Sequence, residues 1–132
     1  MADIIPQEIA QTEIDSWLDF KKISDKKRES LKGNIESLVS GIMDGTLALD
    51  PETFVLTQKL NFPIGTINEL KYKARLKMDA VQSRLSNVRP GDMYGTSFGW
   101  IAALTDQPVS IIKQIDNEDY TLADHLSFFF MA

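Results

Sequence analysis

The chain has 132 residues, no cysteine, one histidine and a formal net charge of −5. That length suits a single domain with one core, and the missing cysteines exclude a disulfide scaffold, a thiolate zinc site and a cysteine nucleophile. No apolar run approaches the roughly 20 residues that span a bilayer, and MADIIPQEIAQTE lacks the basic region and apolar stretch of a secretory signal, so a soluble protein without membrane association is expected. Charge is uneven within the total. Residues 1–50 carry six Lys or Arg against ten Asp or Glu, residues 51–90 seven against three, and residues 91–132 Lys113 alone against six acids. A basic middle lies between acidic ends, and the default expectation is that it is satisfied within the fold.

In chain order, Pro6 to about Lys22 reads as a helix with Ile9, Ile14, Trp17 and Leu18 near one face. Ser24 then caps a second helix, in which Leu31, Ile35, Leu38, Val39, Ile42 and Met43 follow the 3.6-residue period. Asp44-Gly45 stops it, with glycine supplying the left-handed C-terminal conformation. The two helices are expected to form an αα-hairpin over residues 1–50. Asp50-Pro51 breaks the chain, and residues 53–60, TFVLTQKL, read as a strand. NFPIGT supplies turn chemistry. ELKYKARLK alternates strictly, extending a second strand over about 67–77 and closing a central antiparallel β-hairpin. Past Lys77 the period becomes helical again. Met78, Val81 and Leu85 make a short helix, then MYGTSFGWIAALT, PVSIIKQI and TLADHLSFFF follow, with Pro108 in a favoured first-turn position and Thr121 as a cap. The expected fold is α+β and mostly helical, a single domain of residues 1–132 in which three or four short helices follow the hairpin.

Chemistry is sparse. One histidine precludes a His-rich metal site, and His125 is expected to be a partly exposed surface residue. Ser83, Ser86, Ser97 and Ser110 lack the G-x-S-x-G context of a nucleophile elbow. Asp116, Glu118 and Asp119 in DNEDY lack the glycine and the twelve-residue loop of a calcium site, so they are expected to form an acidic loop capping the last helix. RPGDMYG is not a phosphate-binding loop. No catalytic constellation stands out, and neither enzymatic activity nor a cofactor is expected. By alternation, Lys71, Lys73, Arg75 and Lys77 share the wet face of the second strand. Nucleic-acid binding is not expected from them, because the interleaved Tyr72 points to the other face and the sequence pI is near 4.8. Lysine on a strand also protects against edge-to-edge aggregation.

The order of these motifs resembles the tail assembly chaperones of contractile and long non-contractile tailed bacteriophages, over residues 54–130. GTINELKYKARLK is similar to the family's alternating basic and apolar second strand. Ile101 to Thr105 match a helix ending in small and apolar residues. Ile111, Ile115 and Asp119 match the following L-x-x-L-x-x-x-D step, and Leu122, Leu126 and Phe129 match the last helix. The leading αα-hairpin lies outside the pattern.

The resemblance implies a non-enzymatic protein of the host cytoplasm that binds the tape-measure protein before the tail tube polymerises. The contact residues expected for such a partner are Trp17, Phe20, Met93, Tyr94, Phe98 and Phe128. Lys71, Lys73, Arg75 and Lys77 would keep the hairpin face soluble or meet acidic surface in a homo-oligomer. Two other roles fit the residues. One is a structural tail or baseplate component retained in the virion tail. The other is a regulatory adaptor displaying the C-terminal SFFFMA to a partner.

Overall fold

The computed structural model describes residues 5–131. Helix α1 (Gln7–Phe20) starts after Pro6, whose extended backbone suits a helix entry. Ala10, Ile14, Trp17 and Leu18 are its buried residues, at i, i+4, i+7 and i+8. Ile9 is not among them. It lies one residue round from Ala10 and is 54% exposed. The helix ends with Lys22 in the left-handed region (φ 59°). The Ile23 N–H donates to Leu18 O and the Lys22 N–H to Asp19 O, the paired bonds that close a helix at a left-handed residue.

The second expected helix is two. Ser24 caps α2 (Asp25–Ser30), its Oγ accepting from the Lys27 N–H. The helix is interrupted at Leu31 (φ −105°, ψ 24°) before α3 (Lys32–Asp44) begins. DKKRES has no apolar residue and buries nothing, whereas α3 buries Leu38, Val39 and Ile42. Gly45 ends α3 at φ 83°, as its position predicts.

The sheet has three strands where a two-stranded hairpin is expected. Strand β1 (Leu47–Leu49) precedes β2 (Leu56–Ile64) and β3 (Ile67–Tyr72), in the antiparallel order β1-β2-β3. LAL is too short to show a period, so nothing local announces β1. Between β1 and β2 the Asp50 carboxylate accepts from the Glu52 and Thr53 N–H groups, and these bonds lower its pKa. β2 runs in register with β3 from Leu56↔Tyr72 to Lys59↔Glu69, then shifts before Ile64↔Ile67. Pro63 falls in that irregular stretch, where a missing N–H is tolerated.

β3 stops at Tyr72, short of Lys77. The Lys73 N–H donates to Leu104 O instead of to a strand, and residues 73–77 form a connector that keeps the alternation of burial without the ladder. Four helices follow: α4 (Met78–Leu85), α5 (Met93–Thr105), α6 (Val109–Ile112) and α7 (Asn117–Met131). α7 starts four residues before Thr121, and Asp116 supplies the cap, its Oδ1 accepting from the Glu118 N–H.

α5 is buried almost all round, between α4, α6, α7 and β3. Gly99 permits its close approach to α4, because a Cβ there would overlap Leu85. α7 packs on α3, α5 and β2. One hydrophobic cluster joins these layers and includes Ile14 and Trp17 of α1, Leu38 of α3, Leu56 of β2, Leu104 of α5 and Phe129 of α7. Trp17 meets the Phe129 ring edge-on at 5.4 Å. No described helix is long and apolar enough to cross a membrane.

Candidate functional site

Among the described residues, the first turn of α5 carries the two most exposed large apolar side chains. Gly91 turns the chain at φ 84°, and Asp92 caps the helix, its Oδ1 accepting from the Gly95 N–H at 2.8 Å. The small residues Gly95, Ser97 and Gly99 point into the fold. Met93 and Tyr94 therefore point out, 82% and 67% exposed. One turn on, Phe98 is half-buried and lies 6.4 Å from the Tyr94 ring.

α7 supplies the facing wall. Tyr120, Asp124 and Phe128 recur every four residues along it, and Phe128 is 40% exposed. The Tyr120 ring lies 6.1 Å from Tyr94 and 5.6 Å from Phe98. Asp124 ties the walls together: it accepts from Ser97 Oγ at 2.7 Å and from the Tyr120 hydroxyl at 3.4 Å. Partial burial raises the Tyr120 pKa, and the Asp124 carboxylate adds to the effect.

Two grooves of about 550 Å³ each flank Tyr94. The apolar one, between α5 and α7, is lined by Met93, Tyr94, Tyr120, Asp124, Phe128 and Met131. The other, between α4, α5 and α6, includes Arg84, Val88, Phe98, Val109 and Lys113. The arrangement offers adaptable apolar contact around a rigid aromatic ridge.

Of the contact residues expected from sequence, Met93, Tyr94, Phe98 and Phe128 converge on these two grooves. Trp17 does not: it is 1% exposed, a core residue. Phe20 lines neither groove and is stacked on Phe54, centroids 4.3 Å apart. Tyr120, Asp124 and Met131 were not among the expected contacts, although their spacing of four, four and three residues through Phe128 is written in α7 as a helical stripe.

The basic row is divided because β3 ends early. Lys71 pairs with Glu69 at 3.8 Å, and Lys73 pairs with Asp106 at 3.9 Å, which Arg84 also reaches. Arg75 lies 5.3 Å from the Phe20 ring centroid, and exposed Lys77 stands at the start of α4. Four cations on one strand face are not what forms.

DNEDY is likewise not a solvated loop throughout. Asp119 is 1% exposed, and its two oxygens accept from the Asn61 and Phe62 N–H groups at 2.9 and 3.0 Å. Those are the N–H groups that the register shift in β2 releases. Gln58, whose Nε2 donates to Asp119 O, accepts in turn from the Tyr72 hydroxyl. His125 is half-buried, with Nδ1 2.8 Å from Ser37 Oγ, so it joins α7 to α3. Among the described residues, no three His, Asp or Glu side chains group closely enough to hold a metal.

Compared with protein-family models, with curated proteins and with solved structures, the chain finds no match in any of the three.

Proposed function

We propose that the chain is a non-enzymatic bacteriophage tail assembly protein that binds an amphipathic helix of the tape-measure protein in the groove between α5 and α7. The observation that carries this reading is the convergence of exposed Met93, Tyr94 and Phe128 on one groove. Side chains of this size left in water at one place mark an interaction surface. A groove between two helices suits a helix with an apolar stripe. Methionine at its rim adapts to a stripe of varied sequence. Asp92 and Asp124 beside the apolar floor favour a partner with basic flanks.

The test is co-expression with the tape-measure protein and the other tail proteins encoded beside this chain, then affinity capture and mass spectrometry. The tape-measure protein should be captured by the native chain and lost by the double variant Met93→Asp, Phe128→Asp, whose circular dichroism stays unchanged. Capture of tube, hub or baseplate proteins instead would move the role to a structural component, which purified virions would then contain in fixed copy number. Capture undiminished by the double variant would remove the groove from the account.

A further inference from the structure

Tyr120, Asp124, Phe128 and Met131 line the apolar groove in that order along α7, so a carboxylate stands in the middle of one wall. Among the described residues no lysine, arginine or histidine lines the groove, and neither Asp124 nor Asp92 enters an ion pair. Asp92 is committed to the α5 cap, where it also answers the positive end of the helix dipole. Asp124 keeps an oxygen in reserve. Ser97 Oγ and the Tyr120 hydroxyl both donate to its Oδ1, which leaves Oδ2 without a partner among the described residues. No buried side-chain oxygen described lacks a hydrogen-bond partner, so Oδ2 is within reach of solvent. The Tyr120 and Tyr94 rings, 6.1 Å apart, add aromatic surface to the same groove.

A helix with an unbroken apolar stripe would strip water from this carboxylate and return nothing, which is unfavourable for a charge. A lysine at the centre of the stripe reverses the sign. Its methylenes cover apolar surface while its ammonium reaches the carboxylate and the tyrosine rings. One open oxygen suits the point charge of an ammonium better than the planar two-bond fork of a guanidinium. We infer that the partner helix carries a lysine in the middle of its apolar stripe, seated on Asp124, with apolar neighbours on Met93, Phe128 and Met131. This specificity rests on the groove binding a helix, as proposed above, yet it can fail while that reading stands.

Two synthetic amphipathic helices of identical composition test it by fluorescence anisotropy with the full chain. The first has lysine at the centre of its apolar stripe and norleucine on its polar face. The second exchanges the two, so that net charge is equal and the stripe is unbroken. The first should bind about tenfold tighter, the combined size of one ion pair and one cation–π contact. Asp124→Asn, which keeps a hydrogen-bond acceptor and loses the charge, should remove that preference. In the native complex, nuclear Overhauser contacts should join the lysine ε-methylene to Tyr94 or Tyr120 ring protons. If Asp124→Asn does not fold, the preference and the ring contacts of the native chain decide. Equal or tighter binding of the second peptide, a preference that survives in folded Asp124→Asn, or a bound lysine without ring contacts overturns the lysine specificity. The helix-binding groove then stands if Met93→Asp, Phe128→Asp still abolishes binding. Saturable binding of neither peptide overturns both.

Discussion

Asp119 brings a carboxylate into the interior, a placement that is unfavourable unless its oxygens are hydrogen-bonded. Here two N–H groups of the shifted β2 register supply those bonds. Asp119→Ala leaves both N–H groups without their acceptor and should cost about 2–3 kcal/mol in urea denaturation. Glu118→Ala, one residue away and exposed, should stay within about 0.5 kcal/mol of the native chain. Equal effects would mean that the carboxylate does not brace the strand. Lys21 makes the opposite case, a cation held where its charged form is disfavoured. Its folded pKa of about 8 lies below the ordinary 10.5. Between those values the unfolded chain binds a proton that the folded chain does not, so stability rises with pH across the window and that gain is lost as pH falls through 8. The denaturation midpoint should therefore climb from pH 8 toward 10 in the native chain and not in Lys21→Met. A parallel climb in both would assign the effect to another group.

The elements divide the three consecutive phenylalanines by function. On α7, Phe129 turns inward against Trp17 and is 2% exposed, while Phe128 turns toward the apolar groove. Phe130 is half-buried, 6.1 Å from Trp17 and under the Lys21 ammonium. Phe129→Ala should cost about 3–5 kcal/mol, the range for emptying an aromatic core site. Phe128→Ala should cost under about 1 kcal/mol and should weaken capture of the partner. Similar losses from the two would contradict the division. This arrangement also bears on SFFFMA as a displayed segment: removing residues after Leu126 takes out a core residue, so a folded truncation product is not expected. α5 shows the same logic with small residues, where glycines inside let Met93 and Tyr94 stand outside.

For the whole molecule, the N-terminal helices are joined to the rest by the cluster that holds Trp17, Leu38, Leu56, Leu104 and Phe129. Residues 51–132 share that cluster with α1 and α3, and removing those helices would uncover Phe129, which packs against Trp17. Thermal unfolding should be one cooperative transition. Trp17 lies in α1 and Trp100 in α5, so single Trp→Phe variants report the two regions separately by fluorescence. Coincident midpoints are expected, and a separation of the two would show that the helical hairpin melts on its own.

Much of the fold is legible in local pattern. The helix periods, the Gly45 stop, the strand around Tyr72 and the α+β class follow from apolar spacing and from residues with narrow backbone preferences, both properties of neighbours in sequence. Of the proposed binding surface, Met93, Tyr94, Phe98 and Phe128 could be picked out from the sequence as large apolar residues outside the main helical stripes. Other features depended on distant contacts. ELKYKARLK alternates to its end because Tyr72, Ala74 and Leu76 are shielded while Lys73, Arg75 and Lys77 are not, yet the ladder ends when Leu104 takes the Lys73 N–H. Periodicity reports burial, not which carbonyl receives a hydrogen bond. Asp119 reads as one more acid in a polar run until β2 is laid beside it. Lys21 and Arg75 become neighbours only when the connector after β3 passes the end of α1. Local spacing determined the elements and their wet and dry faces, while tertiary packing decided which charges were buried, paired or gathered, because electrostatic interactions depend on distance in space.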